Sequence, residues 1–131
     1  VDEIIEIFNE NSKYKLIGMF ELAMVFILIS IIIMIIVLNH VDKLFTNIKN
    51  NKTPFTLDNV NYIKRISYLM IALIIIDPIS SIMFELIGIS DVSSGFELIS
   101  IIEILIIFSM SYIFEYGYEI QKDSKGIMYN K

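Results

Sequence analysis

The sequence predicts an all-α fold, a polytopic membrane helical bundle with three spanning helices, and three observations carry that reading. Hydrophobic residues fill 56% of the 131 positions, above the ~45–50% usual for soluble globular chains. They gather in three blocks, 16–38, 66–89 and 96–116, each long enough to cross a bilayer. Basic residues are distributed unevenly between the connections that join those blocks. Mean hydropathy is +0.70, which argues against a soluble single-domain enzyme before any motif is considered. The chain has no cysteine, so disulfides, thiolate metal sites, iron–sulfur ligation and cysteine nucleophiles are excluded. A net charge of −5 gives no support to direct nucleic-acid binding.

The first block, LIGMFELAMVFILISIIIMIIVL, holds one charge, Glu21. At about 1.5 Å per residue it spans roughly 34 Å, against a hydrocarbon core of ~30 Å. It is too long for a signal peptide and lacks a small-residue cleavage site. The second block contains Asp77, Pro78 and Glu85. Pro78 removes the hydrogen bond to the carbonyl of Ile74, a defect that spanning helices tolerate when neighbouring groups compensate. The third block carries Glu97, Glu103 and Glu115. Isoleucine is abundant in all three, but buried strands run about 4–8 residues, so length decides for helices. No repeat or Pro/Gly-rich linker divides the chain, and residues 1–131 are expected to form one membrane domain.

Orientation follows from Lys and Arg. The connection 39–65 holds Lys43, Lys49, Lys52, Lys64 and Arg65, and the tail 117–131 holds Lys122, Lys125 and Lys131. The connection between the second and third blocks has none. The positive-inside rule makes the basic side cytoplasmic, so the C-terminus is expected inside. Tyr62, Tyr68, Tyr116 and Tyr118 sit where interfacial aromatics are expected at that side, and Tyr14 at the other.

In the cytoplasmic connection, Leu44, Phe45 and Ile48 suit an amphipathic extension of the first helix, which Asn50–Asn51 should break. Thr56 is positioned as an N-cap for the next helix, with Asp58 in its first turn. Leu57, Val60, Ile63 and Ser67 should form one face. The predicted result is a helical hairpin-like loop along the inner membrane surface. Phe45, Pro54, Phe55, Lys64 and Arg65 are its candidate partner-contact residues, with Phe55 as the apolar anchor of the turn.

The string DKLFTNIKNNKTPFTLDNVNYIKRI resembles the loop of a bacterial integral-membrane family catalogued as domain of unknown function 2975. Pro78 is similar to that family's mid-helix proline, and IFEYGYEIQKD resembles its C-terminal motif through Tyr116, Gly117, Ile120 and Gln121. The family's usual acidic-Thr-hydrophobic ending is replaced by SKGIMYNK. The resemblance implies a four-helix family, so that this chain either lacks the first helix or carries it in a segment upstream of these three. It also implies a bacterial inner membrane and a link to small helix-turn-helix regulators.

Chemistry-bearing residues are few. Glu21, Asp77 and Glu103 lie inside spanning blocks with no Lys or Arg at their depth, so protonation is the simplest escape from the cost of burial. They form a candidate intramembrane polar cluster for a proton or cation. The alternative roles are structural: Asp77 bonded to Ser80, Ser81 or a freed carbonyl, Glu103 joined to Ser100, and Glu21 snorkelling outward. Gly18, on the Glu21 face, would allow close helix approach. His40 is the only histidine, and no phosphate-binding, zinc-protease or nucleophile-elbow string occurs. No catalytic residue, metal or cofactor is expected. The predicted function is regulatory or accessory, with the bilayer, a cytosolic regulator and a second copy of the chain as candidate partners. The rivals are a small transporter or channel subunit using the carboxylates, and an immunity or stress-protection membrane protein.

Overall fold

The computed structural model describes residues 1–89 and 98–129, the backbone alone from 126 to 129. Its elements are three helices, α1 (Asp2–Asn51), α2 (Leu57–Ile87) and α3 (Leu98–Tyr129), and each is long and apolar enough to cross a membrane. The described residues contain no strand. The first two residues of the expected third block, Phe96 and Glu97, lie outside the described set, as does the end of the tail, 130–131.

α1 is 50 residues long, roughly 75 Å, more than twice the depth of a hydrocarbon core. It therefore continues beyond the first block at both ends. Towards the N-terminus, Glu3, Glu6, Glu10 and Lys13 recur at helical spacing on one face, with Ile4, Ile5 and Phe8 exposed on another. Asp2 and Glu3 lie in the first turn, where their charge opposes the helix dipole. At the other end α1 runs to Asn51, and Lys52 terminates it in a left-handed conformation (φ 56°). The amphipathic extension is thus present, buried at Leu44 and exposed at Phe45.

The connection is helical on both sides of a short turn, as the sequence implied. Residues 39–51 belong to α1 and 57–65 to α2, leaving only 52–56 as loop. Both halves are unbroken continuations of the long helices, not separate helices laid on a surface. The tail likewise begins as helix, because α3 carries on past 117 to Tyr129.

Thr56 caps α2 as expected, its Oγ1 accepting from the Asn59 backbone N–H at 3.2 Å. Val60, Ile63 and Ser67 are buried on one face, whereas Leu57 is 52% exposed. α2 passes through Pro78 without ending. It stops at Gly88, whose φ of 79° a side chain would resist. There the Gly88 N–H donates to Glu85 O and the Ile89 N–H to Phe84 O, a Schellman closure that satisfies the last carbonyls.

α2 is the central helix: α1 and α3 each pack on it, and their backbones make no close approach to one another among the described residues. The α1–α2 register is antiparallel, pairing Phe20 with Phe84, Ser30 with Asp77 and His40 with Tyr62. On the other side Tyr68 meets Phe108 and Lys64 meets Glu115. Ala23, Ser67, Ser80 and Ser111 are buried, the small residues that let helix backbones approach in hydrocarbon. Most other apolar side chains face outward, as lipid-facing helices require.

Candidate functional site

The densest set of specific contacts lies at the end of the molecule where the 52–56 loop meets the last turns of α3. Lys52 turns the chain, and the Phe55 N–H donates to Thr53 Oγ1 at 3.3 Å while the Thr56 N–H donates to Pro54 O at 3.1 Å. Asn59, fully buried one turn into α2, donates from Nδ2 to the same Pro54 carbonyl at 3.0 Å. The loop is thereby folded back on the helix that follows it.

Its outward side is held by α3. The Phe55 ring lies against Gly117 so closely that a β-carbon there would overlap it. The same ring meets Phe114 edge to face, centroids 5.8 Å apart. Gln121 donates from Nε2 to Thr53 Oγ1 at 2.9 Å. The Pro-Phe step and the Tyr-Gly…Ile-Gln string, singled out separately in the sequence, therefore form one junction through Phe55, Gly117 and Gln121. Tyr116 and Ile120 point away and are exposed. Lys64 and Glu115 add an ion pair at 3.2 Å, each about 40% exposed, so its contribution is below about 1 kcal/mol. Arg65 and Phe45 are exposed outside the junction, and Pro54 takes part through its carbonyl.

Beside these contacts is a cavity of about 430 Å³, lined among others by Thr53, Phe55, Tyr118, Gln121, Lys122 and Lys125. The last four come from α3 at i, i+3, i+4 and i+7, one face of the helix turned to the loop.

A profile of the family described as Protein of unknown function (DUF2975) matches residues 3–125, which include the whole junction. The chain belongs to this family. No curated protein and no solved structure matches it.

The mid-helix carboxylates of this DUF2975 chain are arranged differently from the junction. Ser30 Oγ donates to Asp77 Oδ1 at 2.9 Å, joining α1 to α2. Ser80 and Ser81 donate instead to the Asp77 backbone carbonyl, at 2.8 and 3.0 Å. Glu21 and Glu103 are exposed and are not brought to Asp77. The register explains why. Ser30 stands opposite Asp77, so Glu21, nine residues away along α1, is displaced by roughly 14 Å. Glu103 belongs to α3, whose backbone makes no close approach to α1 among the described residues. Among the described residues no three His, Asp or Glu side chains gather as a metal site would need. Gly18 has open space around it, and the close approach occurs at Ala23.

Sequence reasoning missed Ser30, Thr53 and Asn59. Asn59 had a readable signal, because it is the third residue after the Thr56 cap, where a polar side chain can reach back to the loop.

Proposed function

We propose that this DUF2975 protein is a non-enzymatic regulatory or accessory protein of a bacterial inner membrane. It engages a cytosolic partner, such as a helix-turn-helix regulator, through the surface formed by the 52–56 loop and the last turns of α3. The observation that carries this reading is the seating of Phe55 on Gly117, which joins segments sixty residues apart into one built surface. Lipid-facing helices need no such specific polar and aromatic closure at their ends. The basic residues of 39–65 and 117–131 support a cytoplasmic position for that surface. Arg65 and Phe45 are exposed beside it and available to a partner.

Affinity capture from solubilised membranes tests this. The wild-type chain is expected to retain a DNA-binding protein, and Phe55→Ala to lose it while the helices remain folded. Capture of no partner, together with cation-dependent flux in proteoliposomes, would instead favour a transporter. The observation behind that second reading is the Ser30–Asp77 bond within the apolar helices.

A further inference from the structure

The cavity at the junction has a composition that the partner reading does not use. Lys122 and Lys125 line it from α3, and Thr53 and Thr56 bring hydroxyls from the loop. None of the acidic residues nearby in sequence, Asp58, Glu119 and Asp123, is among its lining residues. Phe55, Leu57 and Tyr118 supply apolar surface on its walls, and Leu57 is half-exposed there. Ammonium and hydroxyl donors converging without a competing carboxylate are suited to a phosphate, whose oxygens accept charge-assisted hydrogen bonds. The volume of about 430 Å³ falls within the ~300–1,000 Å³ of small-molecule sites.

Depth selects the source of that phosphate. The apolar run of α3 ends at Phe114, so Tyr118 lies about 6 Å and Lys122 about 12 Å beyond it. A bilayer of ~40–45 Å with a ~30 Å core places headgroups within about 5–8 Å of the core edge, the level of Tyr118, and helical side chains lean toward the N-terminus, so the long side chain of Lys122 reaches back toward that level. Apolar walls on the same cavity suit a molecule that carries glycerol and acyl carbons behind its phosphate, which a free anion does not.

We propose that this cavity binds the phosphate headgroup of an anionic phospholipid, with Lys122 and Lys125 as the charge-bearing donors. Basic cavities between spanning helices on the cytoplasmic side are a recurrent form of headgroup recognition. Each lysine near the surface is worth about five-fold in affinity, so removing both lowers it roughly 30-fold.

The full chain in nanodiscs of phosphatidylcholine with added phosphatidylglycerol, followed by native mass spectrometry, reads retained lipid directly. The wild type is expected to keep phosphatidylglycerol selectively. The double variant Lys122→Gln with Lys125→Gln is expected to lose it, whereas Lys43→Gln with Lys49→Gln, equal in charge and off the cavity, is expected to keep it. Inorganic phosphate added to phosphatidylcholine nanodiscs is expected not to bind. Equal losses in both double variants, retention in the first, or inorganic phosphate binding as tightly as the lipid would each overturn the proposal. No partner is present in this assay, so its failure leaves partner capture untouched, and the reverse holds.

Discussion

Gly117→Ala is expected to free the 52–56 loop from α3. Alanine in a helix interior should gain about 1 kcal/mol over glycine, so propensity alone predicts a more stable α3. The clash with the Phe55 ring acts against this, and overpacking of such a contact costs about 1–3 kcal/mol. The clash wins at the loop, because ring and backbone cannot both hold their places. Phe55→Ala removes the half-buried ring itself and should cost about 2 kcal/mol, below the ~3–5 of a fully buried phenylalanine. Trypsin cleavage after Lys52 reads the outcome, since that bond opens when the loop leaves its seat. A cost of about 2 kcal/mol corresponds to roughly 30-fold faster cleavage where opening is a rapid pre-equilibrium. In the Phe55→Ala background, Gly117→Ala should add almost nothing, since the ring it would strike is gone. Additive effects of the two changes would show that they do not share a contact.

The second large contrast is at Asp77. Asparagine keeps an acceptor for the Ser30 hydroxyl but cannot titrate, whereas leucine removes the acceptor. The helix stays in the bilayer whether or not its neighbours are packed, so the insertion cost of the side chain largely cancels. What remains is an interhelical hydrogen bond, worth about 0.6 kcal/mol and at most about 1.7 in membranes. Asp77→Leu is therefore expected to lower the resistance of the purified protein to denaturing detergent by that order, and Asp77→Asn to be nearly silent. Partner capture should survive both. An Asp77→Asn protein that is folded but inactive would mean that the carboxyl titrates in function, and would return the transporter reading to first place.

Much of this architecture was legible because one-dimensional rules suffice for it. Apolar runs of over twenty residues specify spanning helices, Thr56 followed by Asp58 specifies a helix start, and Asn50–Asn51 lies where α1 ends. The junction was legible in pieces. Phe55 was recognised as an anchor and Gly117 as part of a motif, but nothing in a linear pattern says that one receives the other. The partners of the carboxylates were not legible for a related reason. Distance from the end of an apolar block gives an approximate depth, but not which residue of a neighbouring helix stands opposite. Packing set that register, placing Ser30 against Asp77 and leaving Glu21 and Glu103 on outer surfaces. The N-terminal part of α1 was missed because its apolar residues, among them Ile4, Ile5, Ile7 and Phe8, are too few for a spanning block. They nonetheless lie on a helical face that continues the span.

The central claim is that the loop and the end of α3 form one closed surface in the membrane-embedded protein. Disulfide formation tests it most directly, since the chain has no native cysteine to interfere. Phe55→Cys with Gly117→Cys places two thiols where ring and backbone now touch, while Phe45→Cys with Gly117→Cys places one on an exposed site outside the junction. In isolated membranes under mild oxidation, the first pair is expected to close rapidly within one chain and the second to remain open. A first pair that closes no faster than the second would contradict the junction, and with it the surface on which the proposed partner docks.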